Sequence, residues 1–227
     1  MREILISVMP VTMWVLTALN LALTLSLFLL WRKRKLTSAL WMGLVAFGLF
    51  YDALILSLGT VLPEGSLLQG LSLPRFVLHC GLIPLLFPIC AEGLGLRRGG
   101  RIAVWIVTGL IMAVGVAAGF ATRLEPQTVG GVIRYASTKG LTPGWSTGIQ
   151  NALSYGPIIV LMVCGVIVWI LRKRPELFLS GLAMFIFSAL APATGNMDLM
   201  FFISMFGEVL MVFFFWLYGK KRQGADK

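Results

Sequence analysis

Two carboxylates lie inside long apolar runs. Asp52 sits in residues 40–62 (LWMGLVAFGLFYDALILSLGTVL) and Glu208 in residues 199–218 (LMFFISMFGEVLMVFFFWLY). An ionised side chain at membrane depth costs from roughly 3 to over 10 kcal/mol, so acids placed there are candidates for function. In low dielectric a carboxyl group can be kept as the neutral acid and act as a proton donor. An ionised partner can accept a proton or stabilise a developing positive charge. Two carboxylates in different surroundings make a general acid/base pair. A purely structural alternative stays open, a buried polar pair that fixes helix packing.

Further polar groups fall near the same depth. Asn20 is in the inner half of the first apolar run. Pro74 and Arg75 open the third, and His79 follows four residues after Arg75, which puts the two on one helix face. Gly48, Leu49, Ile55, Leu56 and Gly59 surround Asp52 along its helix. The glycines there permit close helix approach or leave room for a ligand. Phe201, Ser204, Met205, Met211, Val212 and Phe215 surround Glu208. A methionine and aromatic lining suits an irregular apolar ligand, and ring faces attract cations. Asp198 reads as a helix N-cap and Glu92 as a partner of a nearby arginine.

These residues need a scaffold, and composition names it. The chain has 227 residues, 58% of them hydrophobic and only 12% charged. Its mean hydropathy is +0.91. The expected fold is all-α: one polytopic membrane domain, residues 1–227, with seven spans at about 4–31, 38–62, 74–96, 102–121, 150–171, 177–194 and 198–218. Alternating barrel strands are absent, so helices must do the spanning. The formal net charge of +10 does not point to nucleic acid. Most of it lies in four short clusters: Arg32–Lys35, then Arg97, Arg98 and Arg101, then Arg172–Arg174, then Lys220, Lys221, Arg222 and Lys227. They follow spans one, three, five and seven. The positive-inside rule then puts the N-terminus outside and the C-terminus in the cytoplasm, in the cell membrane. Under this topology Asp52 and Glu208 each lie ten residues below the outer edge, a matched depth of about 15 Å.

The remaining features are negative or local. No cleavable signal peptide is expected, because the basic cluster follows the first apolar run. Cys80, Cys90 and Cys164 lie inside spans and make no CxxC, and His79 is the single histidine, which argues against a zinc site. No Ser-His-Asp set, phosphate loop or Asp-rich magnesium motif stands out, so metal-free chemistry without a cofactor is expected. Residues 122–145 (TRLEPQTVGGVIRYASTKGLTPGW), rich in glycine, should be irregular, either a lid over the outer mouth or a solvated loop.

With its seven spans and the acids in Phe50-Tyr51-Asp52 and Phe206-Gly207-Glu208, the chain resembles the small seven-span membrane terpene cyclases of fungal meroterpenoid and indole-diterpene pathways and their actinobacterial relatives. The acid types are exchanged relative to the fungal members, which carry Glu early and Asp late. The resemblance implies protonation of an olefin or epoxide on a lipophilic prenylated substrate that arrives from the lipid. Asp52 would be the acid and Glu208 the stabiliser or base. Phe50, Tyr51, Phe201, Phe202 and Trp41 would support the cation. Asn20, Trp41, Tyr51, Arg75, His79, Phe201, Ser204 and Met205 are the expected pocket residues. Two other functions fit the residues: a proton-coupled transporter titrating Asp52 and Glu208, and a lysoplasmalogenase-like lipid hydrolase. A retinal sensor does not fit, because span seven carries no lysine within the membrane.

Overall fold

A computed structural model describes residues 2–138 and 140–221. Arg222 and Lys227 of the last basic cluster lie outside the described residues, as does Lys139 of the outer loop. The chain is mostly helical, and seven helical segments are long and apolar enough to cross a membrane. This is the architecture of a multi-pass membrane protein.

The helices are α1 (Arg2–Arg34), α2 (Thr37–Leu58), α3 (Ser66–Leu82), α4 (Leu86–Leu94), α5 (Arg98–Phe120), α6 (Gly144–Arg172), α7 (Glu176–Ala193) and α8 (Met200–Lys221). α3 and α4 are the two halves of span three, joined by a 3-10 turn at Ile83–Leu85. Pro84 has no N–H to give an α-helical ladder, which accounts for the break. Span three also begins earlier than expected. Pro74 lies inside α3 and does not open it, and the helix starts at Ser66. Span five likewise starts at Gly144 and not near 150. In both cases polar lead-in residues continue the helix beyond the apolar stretch that hydropathy detects.

α2 is the hub. It packs against α1, α3 and α8, while α8 also packs against α1 and α7. One apolar core holds Leu27, Met42, Leu86, Ile89, Leu161 and Phe215. A second holds Met9, Met13, Val132, Phe202 and Met205. Side chains such as Ile106, Leu110, Ile170 and Leu171 point outward. Lipid is as apolar as a core, so helix association in a bilayer rests on close packing more than on burial. Gly207 shows this: a Cβ there would press on the Cβ of Phe187 at 2.9 Å, so α8 approaches α7 closely beside Glu208.

The four basic segments converge at one end of the bundle. Arg34 donates to the Lys220 carbonyl at 2.9 Å, the Arg174 guanidinium lies over the Tyr218 ring, and Glu176 pairs with Lys221 at 3.0 Å. Gly95, with its left-handed φ of 70°, lets the chain turn tightly against the Arg172 guanidinium.

At the opposite end the long connection is ordered, contrary to expectation. β1 (Leu124–Val129) and β2 (Val132–Ser137) pair antiparallel across a Gly130–Gly131 turn. Both glycines have positive φ, 57° and 80°, as a two-residue type I′ hairpin demands. The hairpin is anchored from below. Val132 is fully buried, Tyr135 exchanges hydrogen bonds with Gly65, and Ile133 N–H donates to the Gly59 carbonyl at 2.9 Å. Any Cβ at position 59 would overlap the Ile133 carbonyl oxygen.

Candidate functional site

α2 and α8 are in contact, and Asp52 and Glu208 line one cavity of about 390 Å³. The cavity runs between α2, α3, α6, α7 and α8 below the hairpin. Its size lies within the range of small-molecule sites, about 300–1,000 Å³. A larger groove of about 620 Å³ lies on the hairpin end, around Ser66, Gln69, Arg123 and Glu125. Its lining is mostly surface-exposed and holds neither intramembrane acid.

The two acids have different surroundings. Asp52 accepts a hydrogen bond from Arg75 Nε at 2.8 Å, and the two side chains are only 19% and 10% exposed. Arg75 also reaches the Tyr135 carbonyl at 3.5 Å, tying the pair to the hairpin. The ion pair lets Asp52 remain a carboxylate in a place where a lone charge would be costly. Glu208 is 5% exposed, and its Oε2 has no hydrogen-bond partner among the described residues. A carboxylate in that position would forfeit solvation without compensation, a cost that a neutral carboxylic acid avoids.

His79 lines the cavity one turn from Arg75, near both charges. Phe201 and Ser204 of α8 also line it, as do Leu49, Ile83, Ile158, Met184 and Met211. The lower lining is therefore apolar and rich in methionine. One face of the Phe201 ring is already taken by the Arg134 guanidinium, 4.5 Å from its centroid.

Four expected pocket residues lie elsewhere. Asn20 is fully buried on α1 and absent from the cavity lining, with both amide atoms unpartnered among the described residues. Trp41 packs edge-on against Trp105 in a small cavity of about 120 Å³ shared with Glu92 and Arg101. Tyr51 donates to the Leu71 carbonyl at 3.0 Å and clamps α2 to α3. Met205 is fully buried in the core with Phe202. Phe50 pairs with Phe47 away from the cavity. The physical reasons differ. Asn20 stands on α1, which does not border the cavity, and Trp41 lies about three turns further along α2 from Asp52, whereas Tyr51, Met205 and Phe50 face other sectors of their helices.

The structure adds residues that the sequence did not single out. Arg134 on β2 lines the cavity roof, and Gln150, Asn151, Ser154, Tyr155 and Ser188 line its α6–α7 side. Burial lowers the Arg134 pKa and Arg75 lowers it further, while Asp198 and Asp52 act in the opposite direction. Asp198 thus faces Arg134 electrostatically as well as standing in the 3-10 turn Met197–Leu199 before α8. An arginine within the alternating Val132–Tyr135 segment beside VGGV was the available signal. Among the described residues no group of three or more His, Cys, Asp or Glu side chains is placed to hold a metal ion. No protein-family model matches the chain, and no curated protein matches it.

Proposed function

We propose that the protein is an intramembrane acid–base enzyme acting on a lipophilic olefin, most concretely a terpene cyclase. The observation that carries this reading is the shared cavity, in which one carboxylate is ion-paired and the other is buried with its Oε2 unpartnered among the described residues. That asymmetry supports Glu208 as the acid and Asp52 as the ionised partner, the reverse of the roles the family resemblance implied. Glu208 would transfer its proton to a terminal alkene carbon and become a carboxylate. The π pair forms the new C–H bond and leaves a tertiary cation. A second alkene attacks the cation and closes the ring. The last cation loses a proton to the Glu208 carboxylate or to Asp52. The net reaction is an isomerisation that consumes no co-reactant.

Once substrate fills the cavity, its walls keep out water, which would quench a cation as an alcohol. Arg75 would hold Asp52 in place, and the methionine sulfurs and Phe201 would offer soft electron density. The topology proposed is N-terminus outside and C-terminus in the cytoplasm of the cell membrane, because the basic segments gather at one end. The substrate proposed is a prenylated small molecule drawn from the lipid phase.

The test is turnover by purified full-length protein of a panel of farnesylated and geranylgeranylated indoles, phenols and aromatic carboxylic acids. Wild type should yield cyclised isomers of unchanged mass, and folded Glu208→Gln and Asp52→Asn variants should not. Full activity in both variants would overturn the reading. Gradient-dependent solute flux in vesicles without turnover would replace it with a transporter.

A further inference from the structure

The cavity has two chemically distinct ends, and the chemistry above leaves Arg134 at the upper one without a role. The upper end, under the hairpin, carries Arg134 and Arg75 with Gln150, Asn151 and Ser154 close by. Arg75 is already committed to Asp52 and reaches the Tyr135 carbonyl. Arg134 is less committed. One Nη donates to Gln127 at 2.8 Å, its plane stacks on Phe201, and its Nε is buried with no partner among the described residues. A guanidinium held in place with a buried unused N–H is a donor awaiting an acceptor. Its planar fork suits a carboxylate or phosphate.

Asp52 is neutralised by Arg75, Glu208 lies at the far end of the cavity, and Asp198 faces Arg134 without lining the cavity. The side of the cavity is also open in a specific place. A cleft of about 160 Å³ between α6 and α7 is lined by Tyr155, Ile158, Phe185, Ser188, Ala189 and Pro192. Tyr155, Ile158 and Ser188 line both spaces, so the cleft adjoins the cavity. Beside it Ile159, Ile186 and Leu190 are exposed along the apolar outer face. A polar roof, an apolar floor and an apolar side opening together describe an amphiphile.

We propose that the cavity binds a single-chain amphiphile whose anionic headgroup, a carboxylate or phosphate, is held by Arg134 and whose chain passes through the α6–α7 cleft. This rests on the enzyme reading only for the location of the site, and it narrows the substrate class to acidic prenyl lipids.

Binding can be tested without chemistry by using saturated chains, which have no olefin to protonate. Purified full-length protein in nonionic detergent would be titrated with dodecyl phosphate, dodecanoate, dodecanol and inorganic phosphate. Thermal unfolding followed by tryptophan fluorescence reads binding. Dodecyl phosphate and dodecanoate should raise the midpoint, while dodecanol and inorganic phosphate at equal concentration should not. Arg134→Gln should weaken dodecyl phosphate by about tenfold or more, as loss of a charge-assisted hydrogen bond does, and Arg134→Lys should fall between. Ala189→Trp, which plugs the cleft, should weaken the long-chain anions.

Equal stabilisation by dodecanol would overturn headgroup recognition. Equal stabilisation by inorganic phosphate would reduce the site to one for a free anion and overturn the amphiphile. Unchanged affinity in Arg134→Gln would remove Arg134 from the site. If that variant fails to fold, the comparison of dodecyl phosphate with dodecanol on wild type still decides. Loss of cyclase turnover with intact binding would refute the chemistry alone, and the converse would refute only this assignment.

Discussion

Removing Arg75 from its partner Asp52 is the sharpest structural perturbation available. At about 4 Å between charge centres and an effective dielectric of about 20, the pair attracts by about 4 kcal/mol before desolvation is counted. Breaking one partner of a buried pair costs about 3–5 kcal/mol, because the other charge stays behind unpaired. Asp52 is 19% exposed into the cavity, where water can enter, so the lower end applies. Arg75→Gln should lose about 3 kcal/mol of stability on that basis. Asp52→Asn should lose a similar amount. The double variant should lose clearly less than the sum, because neither charge is then stranded. The assay is reversible unfolding in mixed micelles, analysed as a double-mutant cycle. Single variants within about 0.5 kcal/mol of wild type, or strict additivity, would refute the pairing argument.

Other outcomes follow from the packing. Gly59→Ala should push the hairpin off α2, at a cost of about 1–3 kcal/mol from overpacking, and speed proteolysis within residues 124–137; an unchanged digest would show that the hairpin is not seated there. Glu176 is 2% exposed and pairs with Lys221 at 3.0 Å, so Glu176→Ala should destabilise by about 1–3 kcal/mol in an unfolding titration, and a neutral result would remove its role in joining α7 to α8. Asn20 has two amide atoms unpartnered among the described residues, so Asn20→Leu should be neutral or stabilising by up to about 1 kcal/mol; a loss larger than that would reveal a partner for the amide.

The seven crossings were readable because hydropathy and the spacing of basic clusters are strong one-dimensional signals. The matched depth of Asp52 and Glu208 followed from counting along opposite-running helices, and the cavity does contain both. Arg75 and His79 were readable as a pair because four residues make one helical turn. What failed was the choice of face. Trp41 does share the Asp52 face but stands about three turns away, whereas Tyr51 and Met205 lie on helices that are apolar all round. Such helices carry little amphipathic signal, so rotation about the axis is not encoded in hydropathy. The hairpin was missed for another reason. Four glycines in 24 residues read as irregular, although Val129-Gly130-Gly131-Val132 carries the two-residue turn that pairs strands. Missing the hairpin meant missing Arg134, whose place in the roof depends on it.

The central claim is that Glu208 delivers a proton to carbon, and solvent deuterium reads this directly. Purified protein equilibrated in D₂O with a prenylated substrate should form a cyclised isomer carrying one non-exchangeable deuteron at the protonated terminus, and Glu208→Gln should form none. A cyclised product without solvent deuterium, or equal incorporation by Glu208→Gln, would contradict the account.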